Sequence, residues 1–434
     1  MINVGFASAD ITPDAGMDMP GGFRRRAAKG AADKLLATAC VIFDGNATVA
    51  LVGVDALFVS KALVAEARKL IAADTQIPPT HVLVNANHTH TGGPTSDCLG
   101  SAENPAYTKR LVQGIATAVG DAWRRLHPAE AGVGTGREET IAYNRRFLMR
   151  DGREITHPGK PGTARHAEIV QVAGPVDPEV GVLAFRDPKG KPVGAVVCYG
   201  CHSTVYGGDK FHPDYAGFLR KHLSARFGEG FATVFLLGVC GDVTQVDNLS
   251  PGREGGPEYS EMMGAKLAAE TARVMTRAAW LKDAPLAAAV ESPGLAIRGD
   301  PDVDRERPAF GLGSGAAIED VYAEERRLVA EERRRTPVIT AEIQALRVGP
   351  LGIAANGAEL FCEYGLRIKK CSPFAATWVP TLSNEWIGYV PTAQAFVSGG
   401  YEPRTACSSK LAVDAGQKIV ESSLTALAKV APAK

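Results

Sequence analysis

The chain has 434 residues, 45% of them apolar and 22% charged, and its 48 basic side chains are balanced by 48 acidic ones. That balance argues against a nucleic-acid binder relying on bulk positive potential, and no apolar run approaches the length of a membrane span. Met1-Ile2-Asn3-Val4-Gly5 has neither a basic nor an apolar secretory segment, so a cytoplasmic chain without a stable membrane anchor is expected.

Residues 7–13 read as a short strand and turn, and 16–26, rich in Gly, Met and Arg, as a loop. Its run Arg24-Arg25-Arg26 suits either an anionic substrate or a solvated, salt-bridged surface. The apolar runs 40–43 and 49–52 flank Asp44-Gly45-Asn46 and predict a hairpin. The second run leads to Asp55, a carboxylate placed to orient a nearby histidine. Helical spacing covers 61–72 and 104–126.

Between those helices, 81–84 is a buried strand that runs out into Asn87-His88-Thr89-His90-Thr91-Gly92-Gly93-Pro94. In an extended chain, residues two apart share a face. His88 and His90 then address one cleft, as a metal site or an acid/base pair requires. The alternative is a hydrogen-bonded histidine at a sheet edge.

A second hairpin, 182–185 and 193–199, delivers Cys201-His202-Ser203-Thr204. His212 lines a pocket or braces a loop, and Asp214 caps a helix running to about 227. Strand 233–239 ends in Cys240-Gly241-Asp242-Val243-Thr244, and a helix runs from Pro257 to near Trp280. Residues 300–336 break the pattern. Within them, 319–335 is densely charged at helical spacing, which predicts an exposed helical insertion covering the cleft or a subunit contact. A third hairpin, 341–348 and 351–355, ends in Asn356-Gly357-Ala358-Glu359. A strand at 378–382 precedes Tyr389, and 408–427 forms a closing helix. The eight cysteines are scattered among apolar neighbours and suggest no disulfide framework. Cys198 and Cys201 lack the second pair that a zinc ribbon needs.

Apolar strands thus run out repeatedly into short glycine-containing loops that carry His88, His202, Asp242 and Glu359. Sites form at such strand ends in layered bodies. The expected fold is α/β (α+β), with mixed β-sheets packed with surrounding helices, organised as one catalytic body over residues 1–434. His88, His202 and Glu359 supply the donor set of a catalytic zinc ion, although the long gaps between them leave their convergence open.

The ordered motifs resemble the neutral/alkaline, non-lysosomal ceramidase family in its N-terminal catalytic domain. They begin with Ala9-Asp10-Ile11-Thr12-Pro13, continue through Asn87 to Pro94 and Cys201-His202-Ser203, and include Gly241-Asp242-Val243-Thr244 and Gly357-Ala358-Glu359-Leu360-Phe361. They close with Ser383-Asn384-Glu385-Trp386-Ile387-Gly388-Tyr389 and Gly400-Tyr401-Glu402. The resemblance implies zinc (Zn2+) held by His88, His202, Glu359 and the phenol of Tyr389. It also implies that His90, Arg145 and Tyr401 act on the developing oxyanion, with His90 protonating the leaving amine. Thr244 stands where the family has serine, so a hydrogen-bonding role survives more readily than a nucleophilic one.

The chain ends at Lys434 without the family's C-terminal immunoglobulin-like domain. The expected substrate is therefore a small soluble molecule rather than ceramide. The leading expectation is a zinc-dependent amidohydrolase. The same site acting on an ester or lactone, and a non-catalytic binding protein retaining the fold, are the alternatives. No nucleic-acid partner is expected, and a homo-oligomer is left open.

Overall fold

The computed structural model describes residues 1–432. Its largest sheet has nine strands. Across it run Ala232–Leu237, Pro192–Tyr199, Glu179–Arg186, His127–Arg137, Ile2–Asp10, Leu36–Phe43, Thr48–Val54 and Val82–Ala86, with Ala279–Leu281 pairing alongside His127–Arg137. The centre is antiparallel, and each end is a parallel pair: Val82–Ala86 lies on Thr48–Val54 and Ala232–Leu237 on Pro192–Tyr199. Parallel neighbours need a crossover, which the helices Lys61–Thr75 and Asp214–Phe227 supply. His88 follows the strand at one end of the sheet, and His202 follows a strand of the pair at the other.

Those two ends are clasped together. Asn85 on the edge strand Val82–Ala86 accepts a hydrogen bond from the Leu237 N–H of the opposite edge strand at 2.7 Å. Its amide donates to the Thr381 carbonyl at 2.5 Å and the Ser383 hydroxyl at 3.0 Å. Asn384 then accepts from the Val84 N–H at 2.9 Å. Segment 381–384 thereby covers strand groups that would otherwise present an open edge. A second sheet, Leu286–Glu291, Ile343–Val348, Leu351–Asn356 and Ala376–Trp378, is backed by the helix Ala415–Val430. Beyond it, Ala358–Leu360 and Gly388–Val390 pair in parallel with Glu359 opposite Tyr389.

The expected hairpins form, as does the helix Pro105–Arg124, where Asn104 accepts from the Tyr107 N–H as its cap. Several boundaries differ. The first strand starts at Ile2, because Ile2 already pairs with Ala129 and Asn3 with Phe43. The helix from Pro257 stops at Met275, and Trp280 turns into a strand paired with Gly132. The strand expected at 378–382 is only Ala376–Trp378, and the closing helix starts at Ala415.

The insertion at 300–336 leaves and returns through the antiparallel pair Gly294–Ala296 and Val338–Thr340. Its helix Ala316–Arg335 is not exposed all round: Tyr322, Glu325 and Val329 are buried. No helix is long and apolar enough to cross a membrane among the described residues.

Replacing Asn85 with alanine leaves the buried Leu237 N–H without its partner and takes the shorter of two donors from the Thr381 carbonyl. We expect a loss of about 2–4 kcal/mol, read as a lowered urea midpoint. An unchanged midpoint contradicts the clasp.

Candidate metal centre

His88, His202 and Glu359 meet although they come from three separate parts of the fold: one ligand atom from each lies within 4.8 Å of the others. All three residues are buried. Nδ1 of His88 is 2.8 Å from the Leu57 carbonyl, and Nδ1 of His202 is 2.6 Å from the Cys240 carbonyl. A carbonyl oxygen only accepts, so each Nδ1 carries the proton and each Nε2 presents a lone pair. Both Nε2 atoms stand 3.5 Å from Oε2 of Glu359. That oxygen is buried and has no hydrogen-bond partner. Its sister Oε1 accepts from the Trp386 indole N–H at 3.1 Å.

Protonation states follow from the surroundings. Burial, assisted by the charge of Arg145, brings His202 down to about 4, and burial likewise lowers His88. Burial would push the Glu359 carboxyl up. The two imidazoles 3.5 Å away and the hydrogen bond from the Trp386 indole N–H overcome it and bring the carboxyl down to about 2. At neutral pH the centre therefore holds two neutral imidazoles and one carboxylate, all aimed inward with no proton among them. This donor set fits a divalent cation with an open coordination position, and the imidazole-to-carbonyl hydrogen bonds fix the ligand orientation as such sites require.

The backbone at His88 is not extended. Its φ of +64° lies in the left-handed region, an uncommon conformation for a non-glycine residue that is often found at functional sites. His88 and His90 still share one cleft, with their Nε2 atoms 3.4 Å apart, but a turn brings them together rather than strand periodicity. His90 is backed by the 16–26 loop. A Cβ at Gly21, where φ is +103°, would sit 2.6 Å from His90 Nδ1, so only glycine lets this loop close on the ring. Burial first, and the neighbouring Arg26 charge, hold His90 well below its ordinary pKa.

Arg145 and Tyr389 sit on the other side of the cluster. The Tyr389 hydroxyl is 3.3 Å from His202 Nε2 and accepts from Arg145 Nη2 at 3.1 Å. Burial holds the Tyr389 phenol well above its ordinary pKa, although the Arg145 charge opposes this. Arg145 Nη2 also donates to the Gly241 carbonyl at 2.8 Å, and its Nε to Glu402 at 2.8 Å. The Tyr401 ring lies 5.7 Å from the Tyr389 ring and 5.9 Å from the Arg145 guanidinium carbon.

Glu402 is the anchor of this side. It is fully buried and receives Arg145, Arg146 at 2.5 Å and the Thr156 hydroxyl at 2.7 Å. Burial would raise its pKa, but the two arginines bring it down to about 2.

Thr244 is not joined to this cluster by a hydrogen bond, since its hydroxyl donates to Gln245 at 2.7 Å. Asp55 does not orient a ligand histidine. It accepts from Asn87 at 2.8 Å and from Arg220 at 2.6 Å, and the Leu57 carbonyl takes the expected role. His212 braces its loop, stacked on Tyr206 with centroids 3.6 Å apart and accepting from the Asp214 N–H. Asp214 itself has φ +56° and accepts from Val205, Tyr206 and Tyr215, so it ties a loop to the helix start rather than capping from outside. Trp386, Glu402 and the carbonyls of Leu57 and Cys240 carried no composition signal. Only the motifs around Trp386 and Glu402 marked their neighbourhoods.

Elemental analysis should find about one divalent ion per chain. His88→Ala and His202→Ala should each lower that content at least about tenfold; full retention in both contradicts the centre. Glu402→Gln leaves two buried arginines short of charge and should cost about 3–5 kcal/mol. The acid response has a definite sign. The Glu402 pKa is below its ordinary 4.5, so its stabilisation is present above pH 4.5 and is lost as pH falls toward about 2. The glutamine variant should show a flatter stability curve across that window.

No protein-family model matches the chain. A curated relative, the neutral ceramidase of Pseudomonas aeruginosa, is 28% identical over 184 residues, a match covering 40% of this chain and 25% of the relative. The match thus spans about a quarter of that protein's length. Two solved structures cover 100% of this chain: a ceramidase complexed with C2, at TM-score 0.77 and 18% identity over 76% of its own chain, and the neutral ceramidase from Pseudomonas aeruginosa, at 0.74 and 20% over 75%. The sheets and helices are arranged as in those proteins. Local sequence similarity and a shared fold together support a family relationship with the neutral ceramidases.

Proposed function

We propose that this chain is a metal-dependent hydrolase that cleaves the carbon–nitrogen bond of a small amide. The observation that carries this reading is the inward convergence of two imidazole lone pairs and an orphaned carboxylate oxygen, with a buried arginine and two tyrosines beside them. The relatives' names, as ceramidases, put amide chemistry first. His88, His202 and Glu359 would hold the ion, with Tyr389 adjacent as a fourth donor. Zinc suits this nitrogen and oxygen donor set. When bound, such an ion acts as a Lewis acid and makes water nucleophilic near neutral pH.

The remaining steps belong to the chain. The substrate carbonyl lies between the cluster and Arg145. Charge developing on its oxygen faces the Arg145 guanidinium, which stays protonated because Tyr389 and Glu402 outweigh its burial. Tyr401 supplies a second donor, and each well-aimed donor is worth about 3–4 kcal/mol in the transition state. His90 is neutral and next to His88. It takes a proton from the attacking water and passes it to the departing amine nitrogen, a role worth about 10²–10⁴-fold in rate. Thr244 has no part in this scheme.

The test is a panel of N-acyl amino acids, neutral N-acyl amides, lactones, simple esters and ceramide, assayed with and without chelator. Amide hydrolysis that chelator abolishes and zinc restores is the expected result. Hydrolysis surviving chelation refutes the metal role, and turnover of esters or lactones alone moves the reading to the other carbonyl class. His90→Ala should retain metal while kcat falls about 10²–10⁴-fold.

A further inference from the structure

We infer that Arg26 is an anion-binding residue that selects amides bearing a carboxylate on the amine side, so that N-acyl amino acids are the substrate class. This inference rests on the amidohydrolase reading above and deepens it.

Among the described residues, the buried and half-buried arginines around the centre are neutralised with one exception. Arg145 and Arg146 share Glu402, and Arg146 also meets Glu154. Arg25 pairs with Asp18 at 2.9 Å. Arg26 has no carboxylate within salt-bridge distance among the described residues. It is nevertheless drawn into the protein. Its Nη2 donates to the His90 carbonyl at 2.6 Å and reaches the Met19 carbonyl at 3.5 Å. Its Nε is buried and has no hydrogen-bond partner, and Nη1 makes no hydrogen bond with the described residues. Burial lowers its pKa, as expected for a cation removed from water without a counter-charge.

A half-buried guanidinium with a spare Nε and Nη1 is costly as it stands. A planar carboxylate offers two oxygens to such donors and supplies the missing charge. The place is specific. Arg26 is fastened to the backbone carbonyl of His90, the residue whose Nε2 stands 3.4 Å from that of His88. The same short loop sets Gly21 against the His90 ring and Phe23 against Tyr401 and Tyr322, at centroid separations of 6.0 and 5.9 Å. One loop therefore contributes the cation on the His90 side and an aromatic wall beside Tyr401. His90 is the residue assigned to the leaving amine, so an anion held by Arg26 belongs to the amine half of the substrate. Phe23, Tyr322 and Tyr401 are left for its apolar part.

The experiment compares an N-acylglycine with the N-acylethanolamine of the same acyl chain, which differ only in carboxylate against hydroxymethyl. Wild-type protein should prefer the N-acylglycine. Arg26→Gln should lower kcat/KM for the N-acylglycine about 10–100-fold more than for the ethanolamide, mostly through KM, and Arg26→Lys should regain part of that loss. Equal losses on both substrates would mean that Arg26 only steadies the His90 carbonyl, and would overturn the inference. A preference for the N-acyltaurine over the N-acylglycine would overturn the assignment of a carboxylate. If wild-type protein cleaves none of them, the amidohydrolase reading fails separately. Calorimetric titration of the N-acylglycine then decides for Arg26: binding that weakens at least tenfold in Arg26→Gln supports it, and absent or equal binding refutes it.

Discussion

Two imidazole lone pairs and a carboxylate oxygen pointed at one another, with no proton between them, form an arrangement a protein does not hold for its own sake. The two Nε2 atoms and Oε2 of Glu359 repel at 3.5 Å unless something positive stands among them. Each participant is prevented from turning away. The Leu57 and Cys240 carbonyls hold the two Nδ1 atoms, and Trp386 holds the other oxygen of Glu359. The stabilisation that a cation would bring is therefore also what would relieve the folded protein of a built-in repulsion.

The rest of the fold serves to keep three distant loops in register. His88 and His202 leave strands at opposite ends of a nine-stranded sheet, which would be far apart if the sheet lay open. The Asn85 clasp to Leu237, Thr381 and Ser383 closes it. Gly241 lets the loop after Ala232–Leu237 lie directly on the backbone of Glu359, where a Cβ would be 2.4 Å from the Glu359 carbonyl. Glu359 and Tyr389 then come into the site as direct neighbours in a short parallel pair. The left-handed turn at His88 is stored strain of about 1–3 kcal/mol, held in place by the hydrogen bond to Leu57 and the packing around it.

Much of this was legible in the sequence, and what was not has physical causes. Hairpins were readable because Asp44-Gly45-Asn46 and Asp187-Pro188-Lys189-Gly190 are local turn chemistry between β-branched runs. The helix Pro105–Arg124 was readable from apolar residues at helical spacing, which is also local. His88, His202 and Glu359 were readable as candidates because each ends an apolar strand, yet their meeting depends on the clasp and on sheet order, which no spacing encodes. Asp55 looked like the partner of a ligand histidine because it ends a strand beside His88, but Arg220 from a distant helix claims it. Backbone carbonyls took the part instead, and a carbonyl belongs to every residue, so composition cannot mark it. Trp280 was read as helical because the apolar pattern of Pro257–Met275 continues past the helix end, whereas pairing with His127–Arg137 decides its conformation.

The charged insertion shows how a surface-looking sequence serves the site. Glu319 to Arg335 has the composition of a solvated helix, and some of its pairs, such as Arg327 with Glu324, lie on the exposed face, where ion pairs contribute little. Its other face does something different. Glu319 receives Arg404 at 2.6 Å, Glu325 receives the Cys407 N–H at 2.9 Å, and Glu332 receives Lys410 at 2.7 Å. Tyr322 stacks under the Arg404 guanidinium at 3.5 Å. From the preceding turn of the insertion, Glu306 accepts from both the N–H and the hydroxyl of Thr405 at 2.7 Å. Every one of these contacts lands on residues 404–410, immediately after Tyr401 and Glu402. The acidic residues of the insertion thus fasten the segment that carries Tyr401 toward Tyr389 and Glu402 under Arg145. A helix that reads as decoration along the sequence is, in three dimensions, the outer brace of the side of the centre where an oxyanion would develop.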